Sequence, residues 1–373
     1  MSLLSVEHVS HRYQSARDDR PVLQDVSVEI ESGQDLAVVG ESGCGKTTLG
    51  RLIAGLTRPA AGTVSFDGAD IWQLRGAQYR EYRQSVQLVH QDPYGALNPG
   101  LTVAETLAGG LRHQHIVPRR EVRDEVLRLL GLAGLDTSRA FLERYPHQLS
   151  GGQRQRLVIA RAMALRPSLL VADEPVSMLD VSMRLSILDL LKSLGRSHGL
   201  TYLFISHDFG VVRYFAAGGR IMVMFFGVVV ESGPVEEVIA RPRHPYTFLL
   251  LDAIPEPDPR RARRRRSDAT RIAAERIEAY PAGTGCVFAN RCPFVRDRCR
   301  AERPPSLPVA GASGHWSACW YPEDVPSPLL PAGGAAEKAG SSSLSGSPVP
   351  PAGGGPAVQA VDLAARPAAG EVG

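Results

Sequence analysis

The sequence has no long hydrophobic run. Its most extended apolar stretch, residues 221–230, contains a glycine and falls well short of the roughly 20 residues that a helix needs to cross a bilayer. The first residues also lack the basic and then apolar pattern of a secretory leader. We therefore expect a soluble or peripheral protein that reaches a membrane only through a partner.

Cysteine is scarce, and neither sign of charge dominates. The 373 residues include only 5 cysteines, four of them between residues 286 and 319, which is more typical of a metal site than of a disulfide framework. The net charge of +3 gives no reason to expect a nucleic-acid partner. The 43% of hydrophobic residues is that of an ordinary globular protein with a sizeable core.

Alternating strand and helix patterns predict an α/β fold. Residues 3–30 alternate like paired strands, whereas residues 169–172 and 202–206 are apolar throughout, as in the middle of a parallel sheet. Between about residues 93 and 160, apolar positions recur three or four apart, which predicts a helical insertion.

The composition divides the chain into three parts. We predict a main α/β domain over residues 1–240 and a C-terminal extension over residues 241–325 that holds four of the cysteines. Residues 326–373 are mostly Pro, Gly, Ala and Ser, and such a segment buries too little apolar surface to offset the entropy of ordering. We expect this tail to be disordered.

A glycine-rich segment, GESGCGKTT, follows an apolar strand and precedes a predicted helix. It matches G-x-x-x-x-G-K-[ST], in which backbone N–H groups and the helix N-terminus bind phosphate. Lys46 would contact the β- and γ-phosphates of a nucleotide, and Thr47 would offer a hydroxyl to Mg²⁺. An ordinary glycine-rich turn is the alternative, but it does not account for the lysine and both threonines. The predicted ATP-binding residues of the segment are Gly40, Glu41, Ser42, Gly43, Cys44, Gly45, Lys46, Thr47 and Thr48.

Two carboxylates follow the apolar part of the segment LLVADE. The carboxyl ends of parallel strands form the ligand-binding edge of an open sheet. Asp173 is predicted to bind Mg²⁺, and Glu174 to orient and deprotonate an attacking water, a role that contributes about 10²–10⁴ to a rate. A solvated acidic turn is the alternative for these two residues taken alone.

Residues 149–156, LSGGQRQR, resemble the signature of ATP-binding-cassette (ABC) ATPases, and they stand between the phosphate loop and the acid pair as in that family. The resemblance covers about residues 3–255. It implies a P-loop NTPase (RecA-like) core with an antiparallel β subdomain and a helical insertion. The further site residues that it implies are Tyr13 for adenine, Gln91 for Mg²⁺ and the attacking water, His207 for the γ-phosphate, and Ser150, Gly151, Gly152 and Gln153 of the signature.

The same resemblance implies that the ATPase works as a dimer. In the family, the signature covers the nucleotide that a second subunit holds, and residues 177–180 resemble the loop that crosses between subunits. With one phosphate loop and one signature, the chain has half of each of two ATP sites and no complete site of its own. ATP would then join the two subunits, and its hydrolysis would release them.

Three segments resemble the oligopeptide/dipeptide importer branch, whose relatives also transport nickel. They are QDPYGALNP around Gln91, RHPYTFLLLDAIP at residues 243–255, and the cysteine segment. By itself, HPYT predicts only a turn followed by an amphipathic helix. The branch implies a homologous ATPase subunit as partner, with a heterodimer favoured over a homodimer. It also implies transmembrane permease subunits, an extracytoplasmic solute-binding protein, and a peripheral location on the cytoplasmic face of the cell membrane.

Cys286, Cys292, Cys299 and Cys319 are separated by five, six and nineteen residues. Structural zinc sites usually have cysteines two to four residues apart, so this spacing fits zinc poorly. Four thiolates suit an iron–sulfur cluster, and the branch includes members with a four-iron cluster here. A [4Fe–4S] cluster, a zinc ion and no metal remain open.

Three other functions deserve comparison. A soluble ABC ATPase that acts on ribosomes or DNA usually has two cassettes or a long coiled coil, and this sequence shows neither. A regulatory module without hydrolysis is disfavoured by the presence of Glu174 and His207. An exporter usually has membrane helices fused to its cassette, and this sequence has no apolar run long enough for one. We therefore expect an ATPase that drives uptake of oligopeptides, dipeptides or a related solute.

Overall fold

The computed structural model describes residues 2–13, 21–254 and 284–327. Nearly all of the tail for which we predict disorder lies outside these ranges. The strands within them are β1 (Ser2–His11), β2 (Leu23–Glu31), β3 (Leu36–Val39), β4 (Ala61–Phe66), β5 (Ala69–Asp70), β6 (Val86–Val89), β7 (Leu169–Asp173), β8 (Thr201–Ser206), β9 (Arg220–Phe225), β10 (Val228–Pro234), β11 (Leu307–Pro308) and β12 (Trp316–Ser317). The helices are α1 (Lys46–Ile53), α2 (Gly76–Ser85), α3 (Pro93–Ala96), α4 (Val103–His113), α5 (Val122–Leu132), α6 (Arg139–Leu142), α7 (Gly151–Met163), α8 (Val181–His198), α9 (Phe209–Phe215), α10 (Val235–Ala240), α11 (Pro245–Asp252) and α12 (Asp297–Ala301).

These strands form two sheets. The smaller sheet is antiparallel, with the strand order β2-β1-β4-β5. The larger sheet has the order β11-β12-β10-β9-β3-β8-β7-β6, and the strands from β9 to β6 run parallel. The parallel core and the antiparallel sheet are the α/β arrangement that the sequence predicts.

The central parallel strands are apolar because both of their faces are covered. Leu169 and Val171 of β7 belong to a core shared with the antiparallel sheet and α1. Leu170 and Ala172 point the other way, into a core shared with the helices between β6 and β7. A strand alternates its side chains between faces, so burial on both faces explains a continuous apolar run.

Helices α3 to α7 form the predicted insertion between β6 and β7. Thr102 caps the start of α4: its hydroxyl accepts the N–H of Glu105 at 3.2 Å, while the Glu105 carboxylate accepts the N–H of Thr102 at 2.8 Å. This capping box satisfies donors that a helix start would otherwise leave free. Helix α7 packs against α3, α4, α5 and α8, so the insertion holds the signature helix in place.

The C-terminal extension adds strands to the main sheet, since β12 pairs antiparallel with β10. Glu231 of β10 is fully buried and accepts the N–H groups of Arg243 at 2.6 Å and His244 at 3.1 Å. Its carboxylate also contacts Nε2 of the buried His315 at 2.8 Å. A buried carboxylate needs such partners to offset its lost hydration. These contacts therefore attach both ends of the extension to the sheet.

Candidate functional site

The phosphate loop connects β3 to α1 and turns through two glycines in the left-handed region, Gly43 (φ 84°) and Gly45 (φ 106°). The N-terminus of α1 has no side-chain cap and no acidic residue in its first turn. Its N–H groups and partial positive charge are thus available to an anion. The side chain of Lys46 is buried and folds over the loop, where Nζ donates to the carbonyls of Gly40 at 2.7 Å and Glu41 at 2.9 Å.

Two other residues of the loop are packed rather than exposed. A Cβ atom at Gly40 would overlap the carbonyl oxygen of Met224 in β9, so only glycine fits there. Cys44 is buried, and its sulfur lies 3.8 Å from Nζ of Lys46. Burial raises the pKa of this thiol, although Lys46 opposes the effect. The loop is therefore shaped by its contacts with the sheet as well as by its glycines.

Two oxygen-bearing side chains meet between the start of α1 and the carboxyl end of β7. The Thr47 hydroxyl donates to the carboxylate of Asp173 at 3.2 Å. Asp173 is 4% exposed, and burial raises its pKa; the hydrogen bond from Thr47 opposes that shift and the charge of Glu174 adds to it. A hard cation would relieve this cost, and hydroxyl and carboxylate oxygens are the donors that Mg²⁺ prefers. The pair fits the predicted Mg²⁺ site.

Glu174 brings the predicted catalytic residues together. Its carboxylate accepts from Nε2 of Gln91 at 3.0 Å and lies 3.1 Å from Nδ1 of His207. The backbone of Glu174 has φ 46°, a strained value for a residue with a side chain, and its N–H donates to Ile205 of β8 at 3.0 Å. The neighbouring strand thus holds this turn at the sheet edge, beside Asp173.

The signature forms the N-terminus of α7, with Ser150 as its cap. The Ser150 hydroxyl accepts the N–H of Gln153 at 3.2 Å, and the Gln153 side chain accepts the N–H of Ser150 at 3.0 Å. These bonds stay within the turn. Gly151 lies against Leu179, and a Cβ at Gly152 would overlap the side chain of Met183. The signature therefore packs against the start of α8 and the segment that leads into it.

Tyr13 follows β1 and lies beside the phosphate loop. Its hydroxyl lies 3.2 Å from the hydroxyl of Thr48, and its ring packs edge-on against His11 with centroids 4.8 Å apart. The side chain is 42% exposed. Stacking of this half-exposed ring on adenine stays a prediction.

Sequence reasoning missed two residues that touch the phosphate loop from the C-terminal extension. The Tyr246 hydroxyl accepts the N–H of Glu41 at 2.8 Å. Arg291 donates twice to the Glu41 carboxylate, both times at 2.8 Å. Tyr246 lies in the motif HPYT, whose alternative interpretation was a turn followed by an amphipathic helix; the helix is present, but it is not amphipathic. Helix α11 has no exposed residue, because it fills the space beside β9 and the cysteine segment.

The four clustered cysteines line one cavity of about 20 Å³, which is little more than the space of one water molecule. All four are free thiols. Burial raises the pKa of Cys292 and of Cys319 to about 12. In the described ranges, no group of three or more His, Cys, Asp or Glu side chains is arranged to hold a metal ion. All four thiols face this common cavity, and thiolates are the donors that an iron–sulfur cluster takes.

None of the helices within the described ranges combines the length and apolarity needed to cross a membrane. Residues 23–177 match the family model described as ABC transporter. Residues 230–299 match the model described as oligopeptide/dipeptide transporter, C-terminal region.

Individual proteins agree with these family matches. A probable peptide ABC transporter ATP-binding protein of Sinorhizobium fredii is 43% identical over 317 residues, which cover 83% of this chain and 87% of that protein. The oligopeptide transport ATP-binding protein OppF of Salmonella typhimurium is 41% identical over 295 residues, 79% of this chain and 86% of its own length. The dimeric ATP-binding cassette MJ0796 bound to ADP and Pi superposes with a TM-score of 0.56 at 30% identity, covering 62% of this chain and 98% of that one.

The same family is indicated by the fold, by the phosphate loop with its facing carboxylates, and by these matches. The P-loop NTPase core and the family resemblance are confirmed. This chain belongs to the ATP-binding subunits of ABC transporters, in the branch that carries the oligopeptide/dipeptide transporter C-terminal region.

Proposed function

We propose that this chain binds and hydrolyses ATP and thereby powers the import of peptides or related solutes. The observation that carries the proposal is the convergence of Gln91 and His207 on Glu174, beside the Thr47–Asp173 pair and the phosphate loop. The alternative for Asp173 and Glu174 is an acidic turn in solvent. Such a turn would not require that Asp173 be buried or that Glu174 have a strained backbone.

Each side chain has a role in the reaction. The phosphate loop and Lys46 bind the phosphates, and Tyr13 stacks on the adenine. Glu174 accepts a proton from water as the water oxygen bonds to the γ-phosphorus, while the bond to the β-phosphate oxygen breaks and ADP leaves. Gln91 and His207 orient the water and the γ-phosphate. Thr47, Asp173 and Gln91 would hold Mg²⁺, which supplies positive charge to the phosphate oxygens.

The catalytic site is proposed to be shared between two subunits. Ser150, Gly151, Gly152 and Gln153 would bind the γ-phosphate of the nucleotide held by a second subunit, because the start of α7 is a second anion-binding helix terminus. The similar cassette MJ0796 is dimeric with ADP and Pi bound, which supports a dimer here. We favour a homologous ATPase as the partner, with a homodimer as the other outcome.

A Glu174→Gln variant tests hydrolysis and association together. We expect it to bind ATP, to hydrolyse it about 10²–10⁴ times more slowly than the wild type, and to form an ATP-dependent dimer, alone or with the partner ATPase. Size-exclusion chromatography with light scattering measures the dimer. Glu143→Gln, which changes an exposed acid on α6's C-terminal side, is the control. Full hydrolysis by dilute monomer would contradict a shared site.

The names of the similar proteins support peptides as cargo. We propose that the chain lies peripherally on the cytoplasmic face of the cell membrane, bound to transmembrane permease subunits that receive peptide from an extracytoplasmic solute-binding protein. Gentle detergent extraction, affinity purification of this chain and mass spectrometry would identify these subunits. Recovery with ribosomes and without a permease would instead favour a soluble, non-transport ABC ATPase.

We also propose that Cys286, Cys292, Cys299 and Cys319 ligate a [4Fe–4S] cluster, with zinc and no metal as the other outcomes. All four thiols line a common cavity, which supports a shared ligand. Anaerobic purification followed by iron and sulfide analysis and an optical spectrum tests this. Zinc without sulfide, or protein free of both, would contradict the cluster.

A further inference from the structure

Two residues of the C-terminal extension form hydrogen bonds with the phosphate loop. At Glu41, the backbone N–H donates to Tyr246 and the carboxylate accepts two hydrogen bonds from Arg291. Both extension residues lie more than two hundred positions away in the chain. Glu41 also supplies one of the two carbonyls that accept from Nζ of Lys46. A single residue of the loop thus connects the extension to the phosphate-binding lysine.

Arg291 is itself firmly placed. It ends a 3₁₀ turn, Ala289–Arg291, and is followed directly by Cys292. Its guanidinium lies 5.5 Å from the ring centroid of Phe225 and 5.9 Å from that of Phe288. Those two rings pack edge-to-face at 5.1 Å, and Phe288 is buried. Cation–π contacts and a bidentate ion pair together restrict the orientation of an arginine more than either does alone.

The positive charge of Arg291 neutralises a carboxylate that lies within the phosphate-binding loop. Glu41 is the second residue of a loop built to bind phosphates, so an unpaired carboxylate there would repel the nucleotide. Arg291 neutralises that carboxylate and donates two parallel hydrogen bonds to it. Its side chain is 35% exposed and that of Glu41 41%, so solvent weakens the pair without separating its charges.

We infer that Arg291 is a positioning residue for ATP, and that the cysteine segment completes the nucleotide site by pairing Arg291 with Glu41. This inference rests on the proposed ATP binding. Arg291 does not touch the nucleotide; it acts by holding Glu41 and removing its charge from the approach to the phosphates. Loss of Arg291 should therefore weaken binding more than it slows hydrolysis, and removal of the Glu41 charge should compensate.

Four full-length proteins test the inference: the wild type, Arg291→Gln, Glu41→Gln and the double variant. We expect Arg291→Gln to raise the Kd and KM for ATP about fivefold, with kcat within about twofold of the wild type, as befits a bidentate but partly exposed pair. The double variant should bind ATP at least about twofold more tightly than Arg291→Gln, because the unpaired charge is gone. Fluorescent-nucleotide titration gives Kd, and phosphate release gives KM and kcat.

Arg298→Gln is the matched control. Arg298 lies in the same segment, stacks on Trp320 at 3.5 Å and donates to Glu302 at 3.2 Å, but it contacts a different surface. It should leave Kd and KM unchanged. The inference would be overturned if Arg291→Gln bound ATP with the wild-type Kd, or if it lowered kcat at an unchanged KM. It would also be overturned if the double variant had the same Kd for ATP as Arg291→Gln. Failure of the wild type to bind ATP would instead contradict the proposed function.

Discussion

Replacement of Asp35 by Asn should stabilise the protein at neutral pH. Asp35 precedes β3, and its carboxylate accepts the N–H of Tyr202 at 3.0 Å. Burial raises the pKa of Asp35 from 3.8 to about 6, and the Tyr202 hydrogen bond only partly offsets this. Asparagine keeps an acceptor oxygen for that N–H and removes the buried charge.

The sign and size of the effect follow from proton linkage. Between about pH 4 and pH 6 the folded state holds this proton and the unfolded state does not, so stability falls as the pH rises through that window. At about 1.4 kcal/mol for each pH unit, the interval from 3.8 to about 6 corresponds to at most about 3 kcal/mol. Since Asp35 is only half-buried, we expect Asp35→Asn to gain about 1–3 kcal/mol at pH 7.5 and almost nothing at pH 4.

Urea unfolding of both proteins at pH 4, 6 and 7.5 measures this difference. Asp136→Asn is the control, because the exposed Asp136 accepts hydrogen bonds from Ser138 that lower its pKa, and its replacement should bring no gain at neutral pH. Equal stability of Asp35→Asn and the wild type at pH 7.5, or a gain that is the same at all three pH values, would refute the reasoning.

Three further predictions concern the nucleotide site. Glu174→Gln should slow phosphate release by about 10²–10⁴ while ATP still binds, and Glu143→Gln should not; normal turnover in Glu174→Gln would contradict the catalytic role. Tyr13→Ala should raise the Kd for ATP about tenfold through lost stacking, whereas Tyr13→Phe should change it less than about twofold; equal effects would count against stacking. Gly40→Ala should cost at least about 2 kcal/mol in thermal unfolding because a Cβ there overlaps backbone of β9, whereas Gly109→Ala, with open space in α4, should gain about 0.5–1 kcal/mol; similar effects at both glycines would refute the packing argument.

Much of the fold could be predicted because local patterns determined it. The predicted strand at residues 202–206 is β8, and the strand at residues 169–172 is β7, extended by Asp173. The apolar stretch over residues 221–230 falls in β9 and β10, which turn at Gly227 with φ 78°. Continuous apolar runs and a glycine in a tight turn are readable without any distant contact.

The site was predictable only where a motif encoded it. The phosphate loop and the acid pair have fixed spacing, and the structure brings Gln91 to Glu174 across 83 positions. The contacts of Tyr246 and Arg291 with Glu41 span 205 and 250 positions and have no periodic signal. The same extension is joined to the sheet by the pairing of β12 with β10, and a strand of two residues leaves no pattern in a sequence.

The shared ATP site is the central claim, and a structure of the transporter assembled with the Glu174→Gln chain, ATP and Mg²⁺ tests it most directly. We predict that Ser150 and the glycines of α7 lie on the γ-phosphate of a nucleotide whose phosphates sit in the other subunit's phosphate loop. Ser150 and Lys46 of one chain on the same nucleotide, or a closed state in which the signature touches no nucleotide, would contradict the account.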